Sequence, residues 1–263
     1  MGEIVSRGAK LHFQKLGDGD RETVVFVHGL VMDNLASFYF SVANAVSQEF
    51  DVLLYDLRGH GKSQRMRDGY TVAGMVEDLL AIIRENGSKR AHLVGNSFGG
   101  VVAVSFALAH PALVKSIVLI DAHLGDSSFA EQMADTLSLE GEARDMKIAE
   151  GFQHWLGRHS ERKRNRVAEH AQDLVARPTL VADMRATPPL SEDDLRKIDA
   201  PILAVYGEGS DLRERSTQLL KAAPRATVKV FEGCSHAILW EATARLREEM
   251  AIFLEQNSDG ENR

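Results

Sequence analysis

Six short apolar runs rich in Val, Ile and Leu restrict this chain more than any other feature: Thr23–Val27, Val52–Tyr55, Ala91–Val94, Ser116–Ile120, Ile202–Tyr206 and Thr227–Phe231. They lack the in–out alternation of a half-exposed strand, so they read as strands covered on both faces. Helical patterns separate most of them, at Phe38–Gln48, Val72–Glu85, Phe98–His110 and Arg213–Ala222, and a closing amphipathic stretch runs over Ile238–Glu255. Strand and helix in this alternation predict an α/β fold with a mostly parallel sheet flanked by helices. Ile4–Ser6 and Lys10–Lys15, on either side of a turn containing Gly8, add an antiparallel hairpin at one edge and bring the sheet to eight strands.

The rhythm breaks once. From His123 to Lys197 only helical and charged segments occur, too long for an ordinary connection, so a helical insertion is expected there. The chain then divides into a core of residues 1–122 and 198–263 and an inserted region, 123–197. At 263 residues and 44% hydrophobic content it can bury a full core. The net charge of −7 argues against sequence-independent binding to nucleic acid. No apolar run is long enough for a membrane span. The start, MGEIVSRGAKLHF, lacks the charged segment and apolar stretch of a secretion signal, so a cytoplasmic location is the expectation. The single cysteine, Cys234, supports neither a disulfide framework nor a thiolate metal cluster.

Between the third interior run and the helical pattern after it stands Gly95-Asn96-Ser97-Phe98-Gly99, a G-x-S-x-G sequence at a strand-to-helix turn. A serine there projects its hydroxyl above the sheet edge from a strained backbone, and glycines two before and two after remove the side chains that would clash. The hydroxyl needs a base. His236, after the last strand and before the last helix, is in the expected place, and a carboxylate must then orient its ring. In the chain order serine, acid, histidine, Asp211 after Ile202–Tyr206 is the first candidate, with Glu208 nearby and Asp121 at the end of Ser116–Ile120 as alternatives. Donors for a developing oxyanion are expected from the backbone N–H groups of Phe98, at a helix N-terminus, and Leu30, in the loop His28-Gly29-Leu30-Val31.

Together these pieces resemble the α/β-hydrolase fold superfamily, through VVFVHGL (Val24–Leu30), YDLRGHGKS (Tyr55–Ser63), LVGNSFGG (Leu93–Gly100), GEGSD (Gly207–Asp211) and GCSH (Gly233–His236). The resemblance implies that the insertion is a helical cap over the active site, and that Arg58 and His60 order the crossover of the sheet. Serine at position 97 argues against the dehalogenases and epoxide hydrolases of this fold, which attack with aspartate. The elbow and the HG loop are similar to those of meta-cleavage product hydrolases, although Leu30-Val-Met-Asp-Asn34 departs from their glycine-rich loop. The 3-oxoadipate enol-lactonases, small esterases and thioesterases are also compatible.

The expected activity is hydrolysis of a small or medium carboxylic ester or thioester through an acyl-enzyme, with no metal or organic cofactor implied. Carbon–carbon bond hydrolysis or lactone opening at the same residues is the first alternative. A non-catalytic ligand-binding protein on the same fold is the second. Val31, Phe129, Met133, Trp155 and Met184 are candidates to line the pocket for a small-molecule acyl substrate. The basic run containing Arg158, Arg162 and Arg166 reads first as a solvated helix face. Its functional alternative is an anchor for an acidic carrier or for coenzyme A.

Overall fold

The protein is described by a computed structural model that covers residues 1–31, 33–124, 173–174 and 179–259. Eight strands form a single sheet: β1 (Gly2–Ser6), β2 (Ala9–Leu16), β3 (Thr23–Val27), β4 (Asp51–Tyr55), β5 (Ala91–Asn96), β6 (Val114–Ile120), β7 (Ile202–Gly207) and β8 (Ala226–Phe231). Their order is β1-β2-β4-β3-β5-β6-β7-β8. The pairs β1·β2 and β2·β4 are antiparallel and all the others are parallel. β3, β4 and β7 are buried along their whole length and β5 and β6 nearly so, which explains the missing alternation in sequence. β8 closes the sheet at its far edge and is mostly open to solvent.

Two apolar layers cover the sheet. On one face the helices Val72–Glu85 and Phe98–Ala109 pack through Met75, Leu79, Val102 and Phe106. On the other, Phe38, Val42, Leu246 and Met250 pack from the helical segment 36–46 and the last helix. Helix Val72–Glu85 begins where Thr71 accepts the Gly74 N–H at 3.1 Å, a standard N-cap. The hairpin turn uses positive φ at both Arg7 (47°) and Gly8 (79°), the backbone that matches the twist of the strands it joins.

Two helices differ from the sequence expectation. The first spans 36–46 and contains a π-helical turn at Tyr39–Ala43. The last is broken into Ile238–Glu241 and Thr243–Gln256, because Ala242 leaves helical geometry at φ −129° and ψ 37°. Within 123–197 the described residues form two short helices, Leu180–Arg185 and Glu192–Leu195, and no strand. Among the described residues no helix is long and apolar enough to cross a membrane.

The strand order locates the site. The chain steps from β3 outward to β4, then returns past β3 to β5, so the loops after β3 and β5 diverge and leave a crevice at their carboxyl ends. Open α/β sheets bind ligands at such a switch point.

Candidate active site

Four strand ends face this crevice. The parallel ladder continues one step beyond the strands: Ser97 N–H donates to Ile120 O at 2.9 Å, and Asp121 N–H donates to Val205 O at 2.8 Å. Ser97 after β5 and Asp121 after β6 are thereby held about one strand spacing apart, roughly 5 Å.

Ser97 sits at φ 52° and ψ −120°, strained for a residue with a Cβ. The glycines around it make this turn feasible. A Cβ on Gly99 would lie 2.0 Å from Val27 O, and one on Gly95 would lie 2.6 Å from Gly100 Cα. The strand–turn–helix junction can therefore close only with glycine at both positions.

Ser97 Oγ lies 3.1 Å from His236 Nε2, and His236 Nδ1 lies 2.6 Å from Asp121 Oδ2. Asp121 is fully buried and also accepts from Gly207 N–H, at 2.8 Å, and from the Ser210 hydroxyl. With three donors converging on it the carboxylate is an acceptor, so His236 carries its proton on Nδ1 and presents the Nε2 lone pair to the serine hydroxyl. A hydroxyl, an imidazole and a buried carboxylate are linked in one chain.

The carboxylate is Asp121, which corrects the sequence expectation of Asp211. His236 arrives from the loop after β8 and reaches back over the end of β7. A Cβ on Gly207 would lie 2.2 Å from Ser235 O, so the returning loop covers the end of β7. The segment after β7 contributes donors to Asp121, through Gly207 and Ser210, while Asp211 is carried out to an exposed turn. Glu208, also exposed, accepts the Gly233 N–H at 3.0 Å and orders the loop that precedes His236.

In the loop after β3, three consecutive amides have different fates. Gly29 N–H donates to Asp33 Oδ2 at 2.7 Å, and Val31 N–H donates to His60 Nε2 at 2.8 Å. Between them, the Leu30 N–H has no hydrogen-bond partner among the described residues. The N–H of Phe98, the first residue of its helix, has no acceptor within that helix. His28 is buried, accepts the Leu57 N–H at 2.9 Å and donates to Gly29 O at 2.6 Å, so it ties the loop to the end of β4.

Arg58 forms a two-pronged ion pair with Asp78, at 3.0 and 2.9 Å, and Ser6 donates to the same carboxylate at 2.6 Å. That order matches the role the resemblance implies for Arg58. His60 reaches further, into the HG loop, as no spacing rule in the sequence suggested. Asp33 was likewise absent from the sequence reading, because an Asp beside a helix start looks like any capping residue.

Burial, with His28 beside it, pushes His60 down to about 3. Its ring is neutral when folded and titrates near 6.5 when unfolded, so its contribution to stability is complete above pH 6.5 and is lost as pH falls toward 3. His92, buried against Ser116, is shifted downward in the same sense by burial. From His60 alone, unfolding free energy should be about 2 kcal/mol lower at pH 5 than at pH 7. Urea titrations at the two pH values check this, and His60→Gln should flatten the slope.

Met184 is buried in the apolar cluster that also contains Val27 and Phe98, and Leu30 and Val31 pack against that cluster. The other pocket candidates, Phe129, Met133 and Trp155, lie outside the described residues, as does the basic run with Arg158, Arg162 and Arg166. Half-buried Cys234 has its thiol pushed up by burial and by Glu241, which keeps it protonated and a poor nucleophile. Among the described residues no cluster of His, Cys, Asp and Glu could hold a metal ion.

Residues 24–249 match the model of the alpha/beta hydrolase family. The chain is 30% identical to a 2-hydroxy-6-oxononadienedioate/2-hydroxy-6-oxononatrienedioate hydrolase of Paraburkholderia phymatum, over 94% of this chain and 91% of that one. It is 26% identical to a putative carbamate hydrolase RutD of a Caulobacter species, over 89% and 91%. Among solved structures it is similar to MGS-M2, an alpha/beta hydrolase from a Medee basin deep-sea metagenome library, with a TM-score of 0.81, 20% identity and coverage of 99% and 100%. With its sheet order, elbow and crevice already in that pattern, this chain belongs to the alpha/beta hydrolase family.

Proposed function

We propose that the protein is a serine hydrolase that cleaves a small or medium carboxylic ester or thioester through an acyl-enzyme. The observation that carries this reading is the continuous hydrogen-bond chain from Ser97 Oγ through His236 to Asp121. His236 Nε2 takes the hydroxyl proton while Oγ attacks the acyl carbon, and the negative oxygen is held by the N–H groups of Leu30 and Phe98. The protonated ring, stabilised by Asp121, then gives its proton to the leaving oxygen or sulfur, and the acyl–Oγ bond remains. Water attacks that ester with His236 again as base, the acid departs, and Ser97 regains its proton.

Carbon–carbon bond cleavage at the same residues is a second reading, favoured by the 30% identity to a dienedioate hydrolase. Pre-steady-state hydrolysis of p-nitrophenyl esters of increasing chain length, with intact-mass measurement of the quenched protein, tests the first reading. A nitrophenol burst with a matching acyl mass increment on the quenched protein, absent from Ser97→Ala, is the expected result. Turnover of a ring-opened dienoate with no ester burst would replace it with the second. Tight ligand binding without turnover of either would overturn both.

A further inference from the structure

We propose that Asp33 and His60 are positioning residues that clamp the loop after β3 from two sides, so that the Leu30 N–H is held toward the oxyanion. This rests on the serine-hydrolase reading above.

The two carboxylate oxygens of Asp33 have separate partners. Oδ1 accepts from Asn34 N–H, at 2.9 Å, and from the Ser37 hydroxyl, both at the start of the first helical segment. Oδ2 points the other way and accepts from Gly29 N–H at 2.7 Å and from the Asn96 side chain at 3.2 Å. Asn96 immediately precedes Ser97, so one oxygen binds the loop after β3 to the turn that carries the nucleophile. The packing leaves little slack: a Cβ on Gly29 would lie 3.1 Å from Asp33 Oδ2 and 3.4 Å from Ser97 Cβ.

His60 acts from the opposite side. Its Nδ1–H donates to Arg58 O at 2.8 Å, which leaves Nε2 as acceptor for the Val31 N–H. Val31 sits at φ 68°, a conformation that β-branched residues rarely adopt, so the surrounding bonds must maintain it. Gly29 and Val31 are thus both tied, and only the amide between them is left over for a ligand. A ring kept neutral by burial suits this task, since a protonated Nε2 would face the Val31 N–H donor to donor.

The clamp is not required by helix capping alone, because capping uses only Oδ1. Ser37→Ala therefore serves as the control that weakens the capping side and spares the loop side. The assay compares wild type, Asp33→Ala, Asp33→Asn, His60→Gln and Ser37→Ala. It measures kcat and KM on a p-nitrophenyl ester, and Ki for an alkyl trifluoromethyl ketone that adds to Ser97 and places its oxygen in the oxyanion position. Thermal unfolding monitors the folding of each variant.

For Asp33→Ala, kcat/KM should fall on the order of tenfold to a hundredfold, the range expected for a misplaced donor. Ki should rise by a similar factor while KM changes by less than about threefold, since the interaction is made in the transition state. Asp33→Asn keeps one acceptor oxygen and should recover part of the loss. His60→Gln should follow the same line of Ki against kcat/KM, and Ser37→Ala should keep wild-type values. An unchanged Ki in Asp33→Ala and His60→Gln, or an equal loss in Ser37→Ala, overturns the clamp. A wild type that neither hydrolyses the ester nor binds the ketone overturns the serine-hydrolase reading itself, and is distinguished by that pattern.

Discussion

Asp121→Asn should lower kcat by about 10⁴-fold with the fold intact, whereas Asp211→Asn should stay within about twofold of wild type. The reason is tautomeric. An asparagine amide at 121 can turn its NH₂ toward His236, which moves the ring proton to Nε2 and removes the base that faces Ser97. The Gly207 N–H, which donates to Oδ1 of Asp121, favours keeping the amide oxygen there, and this turns the NH₂ to the Oδ2 side, where His236 and the Ser210 hydroxyl lie. Ser97→Ala should fall further, by about 10⁶-fold, and His236→Ala by a similar factor, because the residues act as a unit and their losses do not add. Steady-state kinetics on a p-nitrophenyl ester, with circular dichroism to verify folding, provides the test. A large loss in Asp211→Asn and none in Asp121→Asn would refute the assignment of the acid.

The second large effect concerns stability. Asp78→Ala should lower the unfolding free energy by about 3–5 kcal/mol, because it leaves the Arg58 guanidinium buried without its carboxylate. Arg58 is 2% exposed and Asp78 1% exposed, so water cannot replace the lost partner. The Ser6 hydroxyl loses its acceptor in the same step, which loosens the join between the β1–β2 hairpin and helix Val72–Glu85. Arg58→Met with Asp78→Leu should recover most of the loss, since replacing both charges leaves no unpaired charge, only the Ser6 hydroxyl without its acceptor. Urea unfolding measures both. A loss below about 1 kcal/mol in Asp78→Ala would mean that the pair is hydrated or repacks freely, contrary to its burial.

Much of the site was legible as local pattern. The elbow Gly95–Gly99 announces itself because a strained serine needs glycines at fixed offsets, and offsets are sequence quantities. His236 was legible from its place between the last strand and the last helix. Strand identities were equally clear, since a sheet covered on both faces demands unbroken apolar runs. Helix details were less so: neither the π-helical turn at Tyr39–Ala43 nor the break at Ala242 is marked by a glycine or proline.

The acid shows the limit most directly. Asp121 and Asp211 both follow buried strands, β6 and β7, in the same chain order relative to Ser97 and His236. What separates them is the loop from β8, which crosses the end of β7 over Gly207 and brings His236 onto Asp121. That crossing is a contact between segments about 30 residues apart, and no local signal records it. Asp33 and His60 have the same character, each defined by the backbone amide it meets on another loop. The sequence by itself determined the sheet and singled out Ser97 and His236, which the structure brings within hydrogen-bond distance, because strand burial and a strained turn are imposed by neighbours along the chain. Only the tertiary structure decided which carboxylate turns the histidine and which loop amide is left over, because hydrogen-bond partners are chosen by proximity in space.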